Sequence, residues 1–390
     1  MKPKISVLRF ALLQPLYWCF VGSIGTFATA MFLAEGESAA FIGMAALFYT
    51  GGGFLGQLAM GYVADRLRTN RGVFIGASLL TLPVAFGLCY LPWLWLRIVC
   101  FALVGFFQTP INAVMDTWIL TGLPDAEKRY GFVRACGSFG FAVYIAFYGL
   151  FVAKYGYYVM PWVSAGMCVL LLLVALSIPD AVAPAAEKTG EKRRLAEDVK
   201  ALFKARHLVF LYLALLLVGL GFGGLHNILP ALLENVGGDV SKQGITMMLG
   251  AFWEILVLVS NFKFLRKQPV FLILGSILVA FPVLLGVGLA NSTWTIVLCT
   301  SGRGLCYAMA LLGLRKVLLR LAPRGLEATA QGIADGFCNC LGPMFGALLC
   351  GVLLNEYGSM TMALACIGFV TLAFVCLVPV LKKLLGKQNA

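Results

Sequence analysis

Along this chain the polar residues gather in short clusters and leave long apolar stretches between them. Phe10 to Ala34 is twenty-five residues without a charged side chain, and the runs that follow are of similar length, parted by short polar or Gly- and Pro-containing breaks. At about 20 apolar residues per crossing, the pattern predicts helical spans over 10–34, 39–63, 72–91, 93–120, 131–153, 157–178, 207–234, 241–262, 269–289, 292–320, 328–355 and 358–381. The runs do not alternate residue by residue, which excludes the strands of an outer-membrane barrel. The expected fold class is an all-α integral membrane protein with twelve transmembrane helices. One long polar stretch interrupts the series: residues 179–206 are rich in charge, alanine and proline. They read as a cytoplasmic linker between a six-helix half over 1–178 and a second over 207–390. A weak internal repeat agrees, since the Gly-rich helix, acidic loop and Gly-rich helix at 22–56 recur in outline at 219–250, and paired six-helix halves are one transporter architecture.

Composition narrows the class further. The chain is 61% hydrophobic and 12% charged, whereas soluble domains carry about a quarter charged residues. Twelve spans occupy most of the 390 residues, and no Walker loop, HExxH or loop-borne GxSxG is present, so no enzyme is expected. The net charge of +13 follows the membrane. With a cytoplasmic N-terminus, the inside segments hold 25 of the 30 Lys and Arg, and the outside segments hold Arg97, Lys154 and Lys242. That asymmetry is the positive-inside rule, and it places both termini in the cytoplasm and the chain in the inner or plasma membrane. The basic residues are scattered over seven short flanks, which argues for the lipid bilayer and against nucleic acid as a partner. Met1 to Arg9 leads into the first run without a small-residue cleavage site, so it reads as a retained first helix. The twelve cysteines fall inside predicted spans without a CxxC or Cys/His cluster. They read as packing residues, and no metal, cofactor or disulfide is expected. Gly is 44 of 390, above the average of about 7%, which suits close helix contacts. A monomer is expected.

After the second predicted span the chain reads Gly61-Tyr62-Val63-Ala64-Asp65-Arg66-Leu67-Arg68, with Arg71 following. A carboxylate and several guanidiniums at a tight helix junction can pair in one conformer and part in another. This string resembles the GxLADRxGRR loop of the Major Facilitator Superfamily, and the resemblance implies a gating loop at Gly61, Asp65, Arg66 and Arg68. The corresponding segment of the second half, 261–268, keeps only Lys263, Arg266 and Lys267.

Charges inside the spans are few, and each costs about 2.5–3.5 kcal/mol at mid-bilayer on insertion scales, so each is a candidate for function. They are Asp116, Arg134, Glu254, Arg303 and Asp335, with His226 the one histidine in a span interior. Asp116 and Arg134 lie on consecutive antiparallel spans at comparable depth, where they can pair, either as a structural ion pair or as a binding site. Their surroundings, Asn112-Ala113-Val114-Met115-Asp116 and Tyr130 to Gly140, resemble the same region of the lactose permease group, which includes nucleoside and phenylpropionate proton symporters. In the lactose carrier an acidic residue and an arginine at this separation bind sugar hydroxyls, so the resemblance implies substrate contact by Asp116 and Arg134. Glu254, in Gly250-Ala251-Phe252-Trp253-Glu254, resembles the glutamate of the eighth helix of that group. Burial in an apolar span favours the protonated form of a carboxylate, which suits a proton carrier. Arg303 stands where the group often has a histidine, and is a second candidate for an anionic part of the solute or a partner for Glu254 or Asp335. Asp335 is a second protonatable candidate. Trp118, with Tyr17, Trp18 and Trp253, lies far enough inside to stack on a ring.

The expected function is secondary active transport: proton-coupled symport of a small organic solute, a sugar, oligosaccharide, nucleoside or aromatic acid, by alternating access. A proton-driven exporter is the alternative, although Gly137 and Gly140 lack the proline of the GPxxGG element that resembles drug antiporters. A membrane-embedded lipid enzyme or non-transporting sensor is more distant, since it needs a polar catalytic cluster at headgroup depth.

Overall fold

The computed structural model describes residues 7–123, 125–181, 195–259, 269–323 and 326–386. Among them, helix is the one regular structure. The helices are α1 (Val7–Ile24), α2 (Ala28–Ala34), α3 (Ala39–Leu67), α4 (Asn70–Tyr90), α5 (Leu94–Gly122), α6 (Ala126–Tyr155) and α7 (Met160–Ser177). After the short α8 (Leu195–Lys204) come α9 (Arg206–Val218), α10 (Gly224–Asn227), α11 (Leu229–Glu234), α12 (Val240–Val259), α13 (Pro269–Gly288), α14 (Thr293–Ser301), α15 (Arg303–Leu321), α16 (Glu327–Gly336) and α17 (Gly342–Gly386). Helix occurs in each of the twelve stretches that the hydropathy pattern marks out. Nine helical segments among the described residues are long and apolar enough to cross a membrane, and the last, Ala330–Lys383, takes in two of those stretches. They meet at Gly358, whose φ of +81° is a left-handed backbone that favours glycine.

Several spans are interrupted where the hydropathy pattern reads as continuous. The first breaks over residues 25–27, between α1 and α2. The seventh passes from α9 through a π-helical turn at Gly219–Gly223 and breaks again at Ile228, two residues before Pro230, which has no N–H to continue the ladder. The tenth is divided at Gly302, and the eleventh carries a second π-helical turn at Phe337–Leu341. Such wide turns cluster at functional sites.

Contacts gather the helices into two compact units. The first takes in Met1–Glu37, Ala45–Ala186 and Gly238–Ile255, and the second Ser38–Met44, Glu187–Gly237 and Leu256–Ala390. The division does not follow sequence order throughout. Much of α12 packs within the first unit, where a Cβ on Gly244 would lie 2.6 Å from the Ile145 carbonyl and the Gln243 amide donates to the Thr26 carbonyl at 2.7 Å. The same close approach seats α3 on α5, for Cβ atoms on Gly52 and Gly56 would each fall 2.0 Å from a carbonyl of α5, as the Gly51-Gly52-Gly53 run leads one to expect.

The core of the first unit is built on Phe10, Phe74 and Trp118, all fully buried. At its other end Arg97 grips Glu35 through two bonds of 2.7 and 2.8 Å, donates Nε to the Leu88 carbonyl at 2.8 Å and lies over the Phe32 ring. The hydropathy pattern treats Arg97 only as an outside charge, yet its side chain is 10% exposed. Arg97→Gln leaves Glu35 without its fork, but Glu35 is itself exposed to solvent, so the loss should cost about 1 kcal/mol. The midpoint of thermal unfolding in detergent should therefore fall by about one or two degrees, and Arg97→Lys should recover only part, because a point charge cannot replace the planar fork.

Candidate functional site

In the first unit, the polar side chains that apolar spans can least tolerate come together. Arg134, half-buried on α6, donates to the Asn112 side-chain carbonyl at 3.3 Å and lies 4.8 Å from the ring centroid of Trp18 on α1. Asp116, on α5 one turn beyond Asn112, accepts from the Gln14 amide at 3.4 Å. Gln14 in turn accepts from the Trp18 indole N–H at 3.1 Å. Tyr17, wholly buried, lies in the electrostatic field of both charges and donates to the Gln108 carbonyl at 3.2 Å. Glycine makes room for this cluster: a Cβ on Gly137 would meet the Gln14 oxygen at 2.7 Å, and one on Gly140 would meet Pro15 at 2.3 Å. The absence of side chains at 137 and 140 lets α6 close on α1. Hydrogen-bond donors and acceptors, a cation over an indole ring and an anion thus come together inside the spans of the first unit.

Trp118 does not join this group. Its ring packs edge-on against Phe10 with centroids 5.7 Å apart, it is fully buried, and its N–H is given to the Pro179 carbonyl at 3.0 Å. With its ring against Phe10 and Phe74 and its polar atom engaged, Trp118 serves packing and offers no face to a solute. Glu254 is half-buried on α12, while its neighbours Phe252 and Trp253 are exposed. The indole that the sequence sets beside the carboxyl thus faces outward.

In the second unit Arg303 opens α15 immediately after the Gly302 break, and His226 at the end of α10 lies within its electrostatic reach. Asp335 on α16 accepts from Gln331 at 3.1 Å and lines a largely apolar cavity with Leu211, Ile277, Tyr307, Cys338 and Leu377. The second π-helical turn begins two residues later.

The loop between α3 and α4 turns at Arg68, whose φ of +49° is left-handed without being glycine. Gly61 has open space around it, and Arg66 donates to the Tyr62 hydroxyl at 3.2 Å. The Asp65 side chain, the segment 261–268 and the middle of the polar linker fall outside what the structure describes. Among the described residues, Asp180 holds this loop. It accepts from the Arg71 backbone N–H at 3.0 Å and from the Thr69 hydroxyl, while Asn70 donates to the Ala181 carbonyl at 2.7 Å.

The family model described as MFS_1 like family matches residues 7–365. The chain belongs to that family. It is also 25% identical over 314 residues, 77% of its own length and 75% of the relative's, to the maltose permease of Geobacillus stearothermophilus. Among solved structures, a variant of the nucleoside transporter NupG superposes with a TM-score of 0.82 at 17% identity, covering 96% of this chain and 99% of that one. The D-xylose-proton symporter gives 0.69 at 14%, covering 94% and 96%. The protein therefore has the Major Facilitator fold and is a multi-pass membrane transporter, not an enzyme.

Within this Major Facilitator chain the sequence reading missed Gln14 and Asn112 as neighbours of the charges, and did not link His226 to Arg303. A signal existed for Gln14. It is a lone amide in an apolar run, four residues before Trp18, and residues so spaced share a helix face.

Proposed function

We propose that this transporter is a proton-coupled symporter of a small organic solute, a sugar or a nucleoside before an aromatic acid, with Asp116 and Arg134 as the solute-binding charges. The observation that carries the reading is the cluster of Gln14, Trp18, Asn112, Asp116 and Arg134 inside the spans of one unit. Two opposite charges with two amides favour neutral, hydrogen-bonding solutes, because a carboxylate solute would meet Asp116 as well as Arg134. The names of the permease, nucleoside transporter and xylose symporter to which the chain is similar support that choice. Arg303 with His226 is a second polar site candidate, and Glu254 and Asp335 are the candidate proton carriers.

Right-side-out vesicles with acid imposed outside should accumulate labelled maltose, xylose or uridine, and collapse of the pH gradient should abolish the uptake. Accumulation found only in inside-out vesicles would make the chain an exporter, and uptake indifferent to the gradient would remove the proton.

The proposed orientation, with both termini and the polar linker cytoplasmic, rests on the charge asymmetry. A hydrophilic thiol reagent outside sealed cells should label a cysteine placed at Glu37 or Asn291 and spare one at Lys192; labelling at Lys192 overturns it.

A further inference from the structure

Gln14 stands apart from the rest of the polar cluster because its single amide touches the support of both charges. Its oxygen takes the indole N–H of Trp18 at 3.1 Å, and Trp18 is the ring on which the Arg134 guanidinium rests at 4.8 Å. Its nitrogen donates to Asp116 at 3.4 Å. Gln14 itself is 0% exposed, so no part of it is left in water, and the side chain is wedged against Gly137, where a Cβ would approach the amide oxygen to 2.7 Å and the Trp18 ring to 3.0 Å. A buried amide is tolerated inside a span only when its donors and acceptor are engaged, and here both ends are engaged by parts of the candidate site. Trp18 is half-buried and is also flanked by Tyr17 and Phe141, at centroid distances of 5.3 and 6.2 Å. To these ring contacts the bond to Gln14 adds a fixed direction for the indole N–H.

We infer that Gln14 is the positioning residue of the solute site: one side chain on the first helix orients the Trp18 platform, and through it the Arg134 fork, while holding the Asp116 carboxylate at the other end. The inference rests on the reading of Asp116 and Arg134 as the solute-binding charges. A cation stacked on an indole keeps its N–H edge free for planar recognition, and that edge points usefully only while the indole is held. Gly137 belongs to the same device, because any side chain there would displace the amide.

The test uses the full-length protein in detergent, labelled with 5-fluorotryptophan, with the Trp18 fluorine resonance assigned from Trp18→Phe and its sensitivity to the guanidinium calibrated with Arg134→Gln. Gln14→Leu should move the Trp18 resonance, and should raise the KM for labelled maltose about tenfold, equivalent to about 1.4 kcal/mol, with Vmax within about twofold. Gln14→Ser, whose hydroxyl is too short to reach either Trp18 or Asp116, should move the same resonance, and it stands in for Gln14→Leu if that variant does not accumulate. A substitution that merely loosens helix packing would lower the melting temperature and Vmax and leave the Trp18 resonance where it was. An unmoved resonance in the folded variant overturns the inference, and this arm needs no solute. The parent reading fails separately: if Arg134→Lys and Asp116→Asn keep the wild-type KM while Gln14→Leu still moves the resonance, Gln14 organises a polar cluster that is not the solute site.

Discussion

Replacing Asp116 by Asn, or Arg134 by Lys, should abolish solute binding at concentrations that saturate the wild-type transporter. Each hydrogen bond to a charged group contributes about 1.5–3 kcal/mol, so losing one or two of them should weaken binding by about ten- to ten-thousandfold. Arg134→Lys keeps the positive charge and is the more telling of the two. Lysine cannot place a planar fork over the Trp18 ring while donating to Asn112, as the guanidinium does, because its ammonium is a compact point charge on a flexible stem. A double neutral variant, Asp116→Asn with Arg134→Gln, separates two readings of the same pair. If the charges bind solute, removing both leaves the transporter dead. If they only stabilise the unit, removing both restores transport, since the uncompensated single charge is what destabilises. The measurement is equilibrium binding together with counterflow in proteoliposomes, and recovery of counterflow in the double variant rejects the site.

Glu254→Gln should split coupling from translocation. The amide imitates the protonated carboxyl permanently, so labelled and unlabelled solute still exchange while accumulation against a gradient disappears. Glu254 is half-buried on α12, where a charge carries a cost that protonation relieves. A carrier whose empty return requires the loss of that proton then runs only as an exchanger. The effect on gradient-driven uptake should be total, and the effect on exchange small. Asp335 competes for the role, being placed at an apolar cavity beside Gln331. Gradient-driven uptake that persists in Glu254→Gln but vanishes in Asp335→Asn transfers the assignment to the second unit, and normal accumulation in both variants removes helix carboxylates of these two positions from proton coupling.

Class and chain organisation were legible from the sequence, because the hydrophobic effect acts on composition and run length alone. A stretch such as Phe10 to Ala34 has one stable fate in lipid, helix, since every backbone N–H and C=O must find its partner within the segment. The five charges inside the spans were legible for the same reason: in an apolar run they stand out by cost. The gating-loop string and the stretch from Asn112 to Gly140 were legible as resemblance, and the family match over residues 7–365 agrees with the family they pointed to.

What only the tertiary structure decided was which polar groups meet. Trp118 and Trp18 look alike in sequence, two indoles inside spans, yet Trp118 faces Phe10 and Phe74 in the core and Trp18 faces Arg134. Helical periodicity fixes which residues share a face, but not which neighbouring helix that face meets. The breaks at Ile228 and Gly302 and the π-helical turns left the hydropathy profile unchanged, because a local change in hydrogen-bond register moves side chains around the axis without altering how apolar they are. Asp180 holds the α3–α4 loop from more than a hundred residues away, and Gln14 reaches Asp116 across a similar distance in sequence. Such contacts depend on the rotation of whole helices about their axes, which is set by packing at glycines such as Gly137 and Gly140, and packing is a property of pairs of surfaces that no single run of sequence contains.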